Sequence, residues 1–213
     1  MSRWKLQFIG GTRKDNVELL NTLEDARRSG NRRLKKVFLE TSTKCKADCK
    51  HCYYRNNKNL KEFTLDEICD IQDYLWDFGV RAITYAGADA IFRTDHNIIL
   101  KRGKDKGFLQ NYCTRGFLSE LDELSEIIAI EPEHIQFSAD PSLCNTKIED
   151  EIHRIKTINE LFCNSPIYVS WVITLTKNVL NHIFPLMQAI SESGGNEVRL
   201  HKIVSYGMSK EYQ

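Results

Sequence analysis

No stretch of the 213 residues approaches the roughly 20 consecutive apolar residues that a bilayer crossing requires. The opening residues, Met1-Ser2-Arg3-Trp4-Lys5, lack the apolar core of a signal peptide. Both absences lead us to expect a cytoplasmic protein with no membrane partner. Charge excess is lacking as well. Thirty basic residues against 29 acidic ones leave a net charge of +1, which offers nucleic acid no general electrostatic attraction. There is no internal repeat and no low-complexity segment. Paired cysteines are scarce: the chain has seven, an odd number, and it is not small, so a disulfide scaffold is not expected and a reducing compartment fits better. The rest of the composition, 41% hydrophobic and 28% charged, suits one domain with a substantial core.

Against this ordinary background three cysteines crowd into eight residues. Cys45, Cys49 and Cys52 lie in Cys-Lys-Ala-Asp-Cys-Lys-His-Cys, a C-x3-C-x2-C spacing. A short loop can turn three such side chains toward one inorganic centre. An iron–sulfur cube usually takes four cysteine ligands, so a loop with three leaves one iron open to a small molecule, as catalytic metal sites keep an open position. The other reading is zinc on a Cys3His set that includes His51, in a scaffold that is not an enzyme. Against zinc, His51 adjoins Cys52, and neighbouring side chains seldom converge on one tetrahedral ion. Cys69, Cys113, Cys144 and Cys163 stand singly and form no second knuckle. Cys69, Cys113 and Cys163 read as packing residues in or beside apolar runs. Cys144 reads as a buried or idle thiol in a loop after the fourth strand.

Apolar periodicity and turn residues predict strands over residues 37–39, 82–86, 108–113, 134–139, 167–175 and 198–204. Helices are expected between them. One is capped by Thr64 with Glu67 at the capping-box spacing, carries Leu65, Ile68, Cys69, Leu75 and Trp76 on its apolar face and stops near Gly79. Another starts at Ser119 with Asp122 at the same spacing. Two more cover 148–161 and 178–191, the second bent or started near Pro185. Lys101, Arg102, Lys104 and Lys106 read as a solvated basic loop. Before the first strand, a short strand at 4–9 and a helix from Asp15-Asn16 to Gly30 form an N-terminal extension, 1–36, to a main domain, 37–213. Repeated strand–helix–strand units imply parallel pairing with right-handed crossovers. The fold class is therefore α/β, a partial (β/α)6 TIM-like barrel, whose ligand groups gather at the carboxyl ends of the strands.

The cysteine spacing, followed by Tyr53-Tyr54, resembles the signature of the radical S-adenosylmethionine (radical SAM) superfamily, and within it the C-x-x-x-C-x-x-C-Y branch of peptide- and protein-modifying maturases. That resemblance implies a [4Fe-4S] cluster on Cys45, Cys49 and Cys52. It implies S-adenosyl-L-methionine chelated on the open iron and cleaved, by a reduced cluster, to methionine and a 5′-deoxyadenosyl radical that takes hydrogen from a substrate. His51 fills the place where the family usually has an aromatic ring. Gly87, Ala88 and Asp89 stand where the family has Gly-Gly-Glu-Pro, which holds the SAM amino group. Ala88 replaces a glycine and Asp89 is a methylene shorter than glutamate. Ser138 and Asp140 match positions that bind the SAM ribose or methionine. Thr114-Arg115-Gly116 resembles the family's Thr-Asn-Gly turn, with Arg115 placed to meet a carboxylate. Thr174, Thr176, Asn178, His201 and Tyr206 sit at later strand ends, where contact with the cofactor is an expectation. The resemblance also implies a reductant such as flavodoxin or ferredoxin and a peptide or protein substrate. A small metabolite, or a glycyl-radical protein to be activated, are the alternative substrates. Such maturases often carry a C-terminal domain for auxiliary clusters, and the sequence to Gln213 contains none.

Overall fold

The computed structural model describes residues 34–50, 52, 54, 61–141 and 143–202. The expected N-terminal strand and helix, His51, Tyr53 and Tyr206 lie outside these. Six strands form one sheet: β1 (Lys36–Ser42), β2 (Ala82–Gly87), β3 (Leu109–Thr114), β4 (His134–Ser138), β5 (Tyr168–Leu175) and β6 (Glu197–Lys202). They pair in sequence order, every pair parallel. Five helices cover the connections: α1 (Leu65–Phe78), α2 (His96–Asp105), α3 (Leu121–Ile130), α4 (Ile148–Phe162) and α5 (Ile183–Glu192). Among the described residues β6 does not pair back to β1, so the sheet is an open, partial barrel.

Side chains alternate along each strand, and one set faces the helices. Ile83 and Tyr85, Tyr112, Ile135 and Phe137, Trp171 and Ile173 are all almost wholly buried there. Against them pack Ile68 of α1, Ile99 and Leu100 of α2, Leu124 and Ile127 of α3, Ile155 and Ile158 of α4, and Leu186 and Ile190 of α5. Some polar groups in this layer pair across elements. Gln72 donates to Tyr85 Oη and to the Ile99 carbonyl, each at 2.9 Å. Trp171 Nε1 donates to Asn159 Oδ1 of α4 at 2.9 Å. Such pairing is needed, because an unmet buried amide costs roughly 1–3 kcal/mol.

The helix expected from Thr64 forms as read. Thr64 Oγ1 accepts from Glu67 N at 3.2 Å and Glu67 Oε2 accepts from Thr64 N at 2.7 Å, closing the capping box. Gly79 ends α1 in the left-handed conformation, φ +98°. Pro185 falls in the first turn of α5, where no intrahelical N–H is required. Two expectations are corrected. The basic stretch is no loop but α2, which carries Lys101, Arg102 and Lys104 with Lys106 as its C-cap. Its charges are paired: Arg102 and Lys106 with Asp73, Lys104 with Glu133, and Lys101 with Asp105. Ser119 does not cap a helix. It lies in a 3-10 turn, Leu118–Glu120, with its hydroxyl on Glu120, and α3 starts after it. No helix among the described residues is long and apolar enough to cross a membrane.

The alternate strand residues line the concave face, and several are polar. His134 is wholly buried there and shares a 2.6 Å hydrogen bond with Ser170 Oγ. Burial first, then the charges of Arg199 and Lys36, lower its pKa to about 3. The unfolded chain takes up a proton near the usual 6.5 or so. The stability that neutral His134 supports is therefore complete above that value and is lost as pH falls toward 3. Its loss is about 1 kcal/mol per pH unit. In urea titrations across this window, His134→Gln should show a slope against pH flatter by about that amount. An unchanged slope would mean that His134 is not the responsible group.

Candidate functional site

A cavity of ≈ 300 Å³ opens at the carboxyl ends of the strands, a volume at the lower end of the range for small-molecule sites. Its wall includes Cys45, Cys49 and Cys52 from the loop after β1, Gly87, Ala88 and Asp89 after β2, Thr114 and Arg115 after β3, and Ser138 and Asp140 after β4. The three cysteines, Gly87, Ala88, Asp89, Arg115, Ser138 and Asp140 thus line one cavity, whereas Thr174, Thr176, Asn178 and His201 are not in its wall, and His51 and Tyr206 lie outside the described residues.

The topology explains the convergence. Parallel strands deliver each following loop to the same edge, and the loops are then tied together. Ala88 N donates to the Ser42 carbonyl at 2.8 Å and Asp89 N to the Lys44 carbonyl at 2.9 Å, joining the turn after β2 to the start of the cysteine loop. Gly87 permits this approach. Its φ is +147°, and a Cβ there would stand 2.4 Å from Ser42 O. On the other side Lys50 N donates to the Leu143 carbonyl at 2.9 Å, fastening the cysteine loop to the segment after β4. Within the loop, Cys52 N bonds the Cys49 carbonyl at 3.1 Å, and Ala47 N donates to Cys45 Sγ at 3.3 Å.

Asp89 is nearly fully buried, and both its oxygens are engaged. Oδ2 accepts from Arg115 N at 3.0 Å and Oδ1 from Ile91 N at 3.4 Å. Burial raises its pKa, and the bonds from Thr114, Arg115 and Ile91 oppose that rise. Asp89 therefore braces the loops after β2 and β3 as well as lining the cavity. Asp140 Oδ1 accepts from Thr174 N at 2.7 Å, linking β4 to β5. Arg115 is more than nine-tenths buried. Its Nη2 reaches Glu151 Oε2 at 3.1 Å, while its Nη1 has no partner among the described residues. Glu151 is 0% exposed and also binds Arg154 Nη2 through Oε1 at 2.6 Å. Arg154 in turn holds the carbonyls of Arg115, Gly116 and Ser138. An ion triad from α4 thus clamps the ends of β3 and β4.

The Cys45 and Cys49 thiols lie in surroundings that resist negative charge. Burial pushes Cys45 up to about 11. Thiolates there need a cationic partner, which a metal centre provides and Arg115 supplements. Among the described residues no three His, Cys, Asp or Glu side chains are set to chelate a single ion. Three cysteines lining one cavity are the donor type that an iron–sulfur cluster takes.

Three cysteine readings are corrected. Cys113 is not mere packing: it lines the cavity beside Gln136, and burial pushes its thiol up to about 12. Alternation along β3 and β4 carries that information, but only once the concave face is known. Cys163 caps α4 and is exposed. Cys144 is not idle, since its Sγ stands 2.8 Å from Cys49 Sγ. The close contact between the two sulfurs holds the Cys49 thiol up and lets Cys144 ionise more easily. Cys69 is half-buried on α1. His201 is exposed on β6.

No family model matches the chain, and no curated protein is similar to it by sequence. Solved structures do match. SuiB of Streptococcus suis bound to S-adenosylmethionine superposes with a TM-score of 0.71 at 13% identity, over 93% of this chain and 49% of SuiB. SuiB bound to precursor peptide SuiA gives 0.69 at 12% identity, over 96% and 48%. Native anSMEcpe with bound AdoMet and Kp18Cys peptide gives 0.63 at 12% identity, over 79% and 52%. The chain spans about half the length of these proteins. At such identities the likeness is one of fold.

Proposed function

We propose that the chain is a radical SAM enzyme in which Cys45, Cys49 and Cys52 hold a [4Fe-4S] cluster. The observation that carries this reading is the single cavity that joins the three cysteines to Gly87, Asp89, Arg115, Ser138 and Asp140. When bound and reduced, the cluster supplies the electron that splits S-adenosylmethionine and releases a 5′-deoxyadenosyl radical for hydrogen abstraction from substrate.

The chain's own residues supply binding and orientation. Cys45, Cys49 and Cys52, with no fourth cysteine in the loop, would hold the cluster and leave it open to a small molecule. Arg115 Nη1, buried and without a partner among the described residues, suits a carboxylate, with charge assistance in a poorly solvated place. Ser138 and Asp140, which line the cavity, suit ribose hydroxyls. Gly87 and Ala88 bring main chain against the ligand. Keeping water out matters here because a primary carbon radical is easily quenched. Asp89, with both oxygens engaged, serves to position Arg115 and Ile91.

The substrate we favour is a peptide or protein. SuiB is found with a precursor peptide and anSMEcpe with a peptide, and the Tyr53-Tyr54 tail points the same way. A flavodoxin- or ferredoxin-type protein would deliver the electron. The test is anaerobic reconstitution with iron and sulfide. Wild-type protein should turn brown, absorb at about 400 nm and hold about four irons and four sulfides per chain. The Cys45/Cys49/Cys52→Ala variant should hold none. One zinc per chain without sulfide would refute the reading.

A further inference from the structure

Cys49 has two possible partners, and only one belongs to the proposed cofactor site. Among the described residues Cys49 and Cys144 are the one cysteine pair within hydrogen-bonding reach, Sγ to Sγ 2.8 Å. No motif cysteine stands that close to another. The pair joins loops 95 residues apart, and the backbone bond from Lys50 N to the Leu143 carbonyl, each adjacent to one member of the pair, fixes their approach. A disulfide needs sulfurs at about 2.05 Å, so less than an ångström of closure separates this arrangement from a covalent bond. Ligating one iron together would instead move the sulfurs apart, since Zn- or Fe-type thiolate bonds of about 2.3 Å place two sulfurs well beyond 2.8 Å. Both thiols are half-buried and reachable, and Cys49 opens on the cavity.

We propose that Cys49 and Cys144 form a reversible disulfide in the cluster-free protein, so that oxidation withholds Cys49 from the cluster and reduction releases it. The inference rests on the cluster reading only in its consequence, because the bond itself requires no metal. One of the two, as thiolate, attacks a small disulfide such as oxidised glutathione and expels one glutathione thiolate. The other cysteine then attacks the mixed disulfide and expels the second. Two protein thiols are oxidised, oxidised glutathione is reduced to two molecules of glutathione, and both protons go to solvent or to the departing thiolates. The device suits a site whose cofactor is lost to oxidants: Cys49 is protected from sulfinic and sulfonic acids, which are irreversible for most proteins, until reducing conditions return.

The test uses the full chain without cluster, equilibrated anaerobically in glutathione buffers of graded ratio. Thiols are alkylated and peptides mapped by mass spectrometry. Each form is then given iron and sulfide without added thiol, and absorbance at about 400 nm is followed. In oxidised wild type we expect a Cys49–Cys144 linked peptide and cluster uptake slowed roughly tenfold or more, restored by a dithiol reductant. Cys144→Ser and Cys144→Ala should give no linked peptide and load equally from both buffers. A map in which Cys49 remains free, or pairs with Cys45 or Cys52, overturns the proposal. So does loss of the cluster from the reduced Cys144 variants, which would make Cys144 a ligand. Failure of reduced wild type to take up iron strikes the cluster reading instead, while the peptide map still decides whether the disulfide exists.

Discussion

Glu151→Gln is expected to destabilise the protein by about 3 kcal/mol, because it leaves two buried guanidinium groups without their shared anion. Glu151 is 0% exposed and lies between Arg115 Nη2 and the Nε and Nη2 of Arg154. Removing the charge while keeping the shape leaves Arg115 and Arg154 facing each other in a poorly solvated place. For a chain of this size the loss corresponds to a midpoint lower by roughly 6–12 °C. The exposed pairs supply the contrast. Asp73 meets Arg102 and Lys106 at the surface, and Asp73→Asn should leave the midpoint unchanged, since exposed ion pairs contribute little. The Glu151 variant should also hold cluster poorly, because Arg154 loses the anchor from which it clamps the carbonyls of Arg115, Gly116 and Ser138. Thermal melts of the two variants beside wild type check the claim. Equal midpoints for Glu151→Gln and wild type would mean that the triad is not a structural clamp.

The second large effect lies at Gly87. A methyl group there would stand 2.4 Å from Ser42 O and 2.8 Å from Ser42 N. Both are main-chain atoms at the mouth of the cysteine loop, and no rotamer change relieves the contact. The φ of +147° is itself unfavourable for a residue with a Cβ. Gly87→Ala must push Ser42 away, breaking the bonds from Ala88 N and Asp89 N that set where the loop begins. We expect a loss of roughly 2–4 kcal/mol, in the range of overpacking combined with strain, and less than half the wild-type iron after reconstitution. Ala88→Gly, the neighbouring change, should cost under about 1 kcal/mol and leave iron content intact. Iron analysis of both variants separates the two predictions. Full iron in Gly87→Ala would show that the close approach does not position the loop.

Much of this architecture was legible because its signals are local. Alternation of short apolar runs with capped, helical runs marked the βα units. Thr64 with Glu67 marked the start of α1, and Gly79 its end. The cysteine spacing, read with parallel topology, predicted which turns would share a cavity. What stayed hidden depends on partners distant in sequence. The run Lys101, Arg102, Lys104 and Lys106 reads as a solvated basic loop because charge runs of this kind are mostly solvated. In the fold Gly103 fits against Tyr85 Oη and Gln110 Nε2, and Asp73 and Glu133 neutralise the charges. Ser119 carries a capping pattern, but its hydroxyl turns to Glu120. Cys113 looked like packing since neither face of β3 was yet known to be concave. Cys144 meets Cys49 across 95 residues, and no local pattern encodes that meeting.

The central claim is that three cysteines and the turn residues beside them make one site for a cluster and S-adenosylmethionine. The most direct measurement is 5′-deoxyadenosine formation by anaerobically reconstituted, dithionite-reduced protein given S-adenosylmethionine, beside the Cys45/Cys49/Cys52→Ala variant. The account predicts 5′-deoxyadenosine from the wild type and none from the variant. A brown, fully loaded protein that leaves S-adenosylmethionine intact would contradict it.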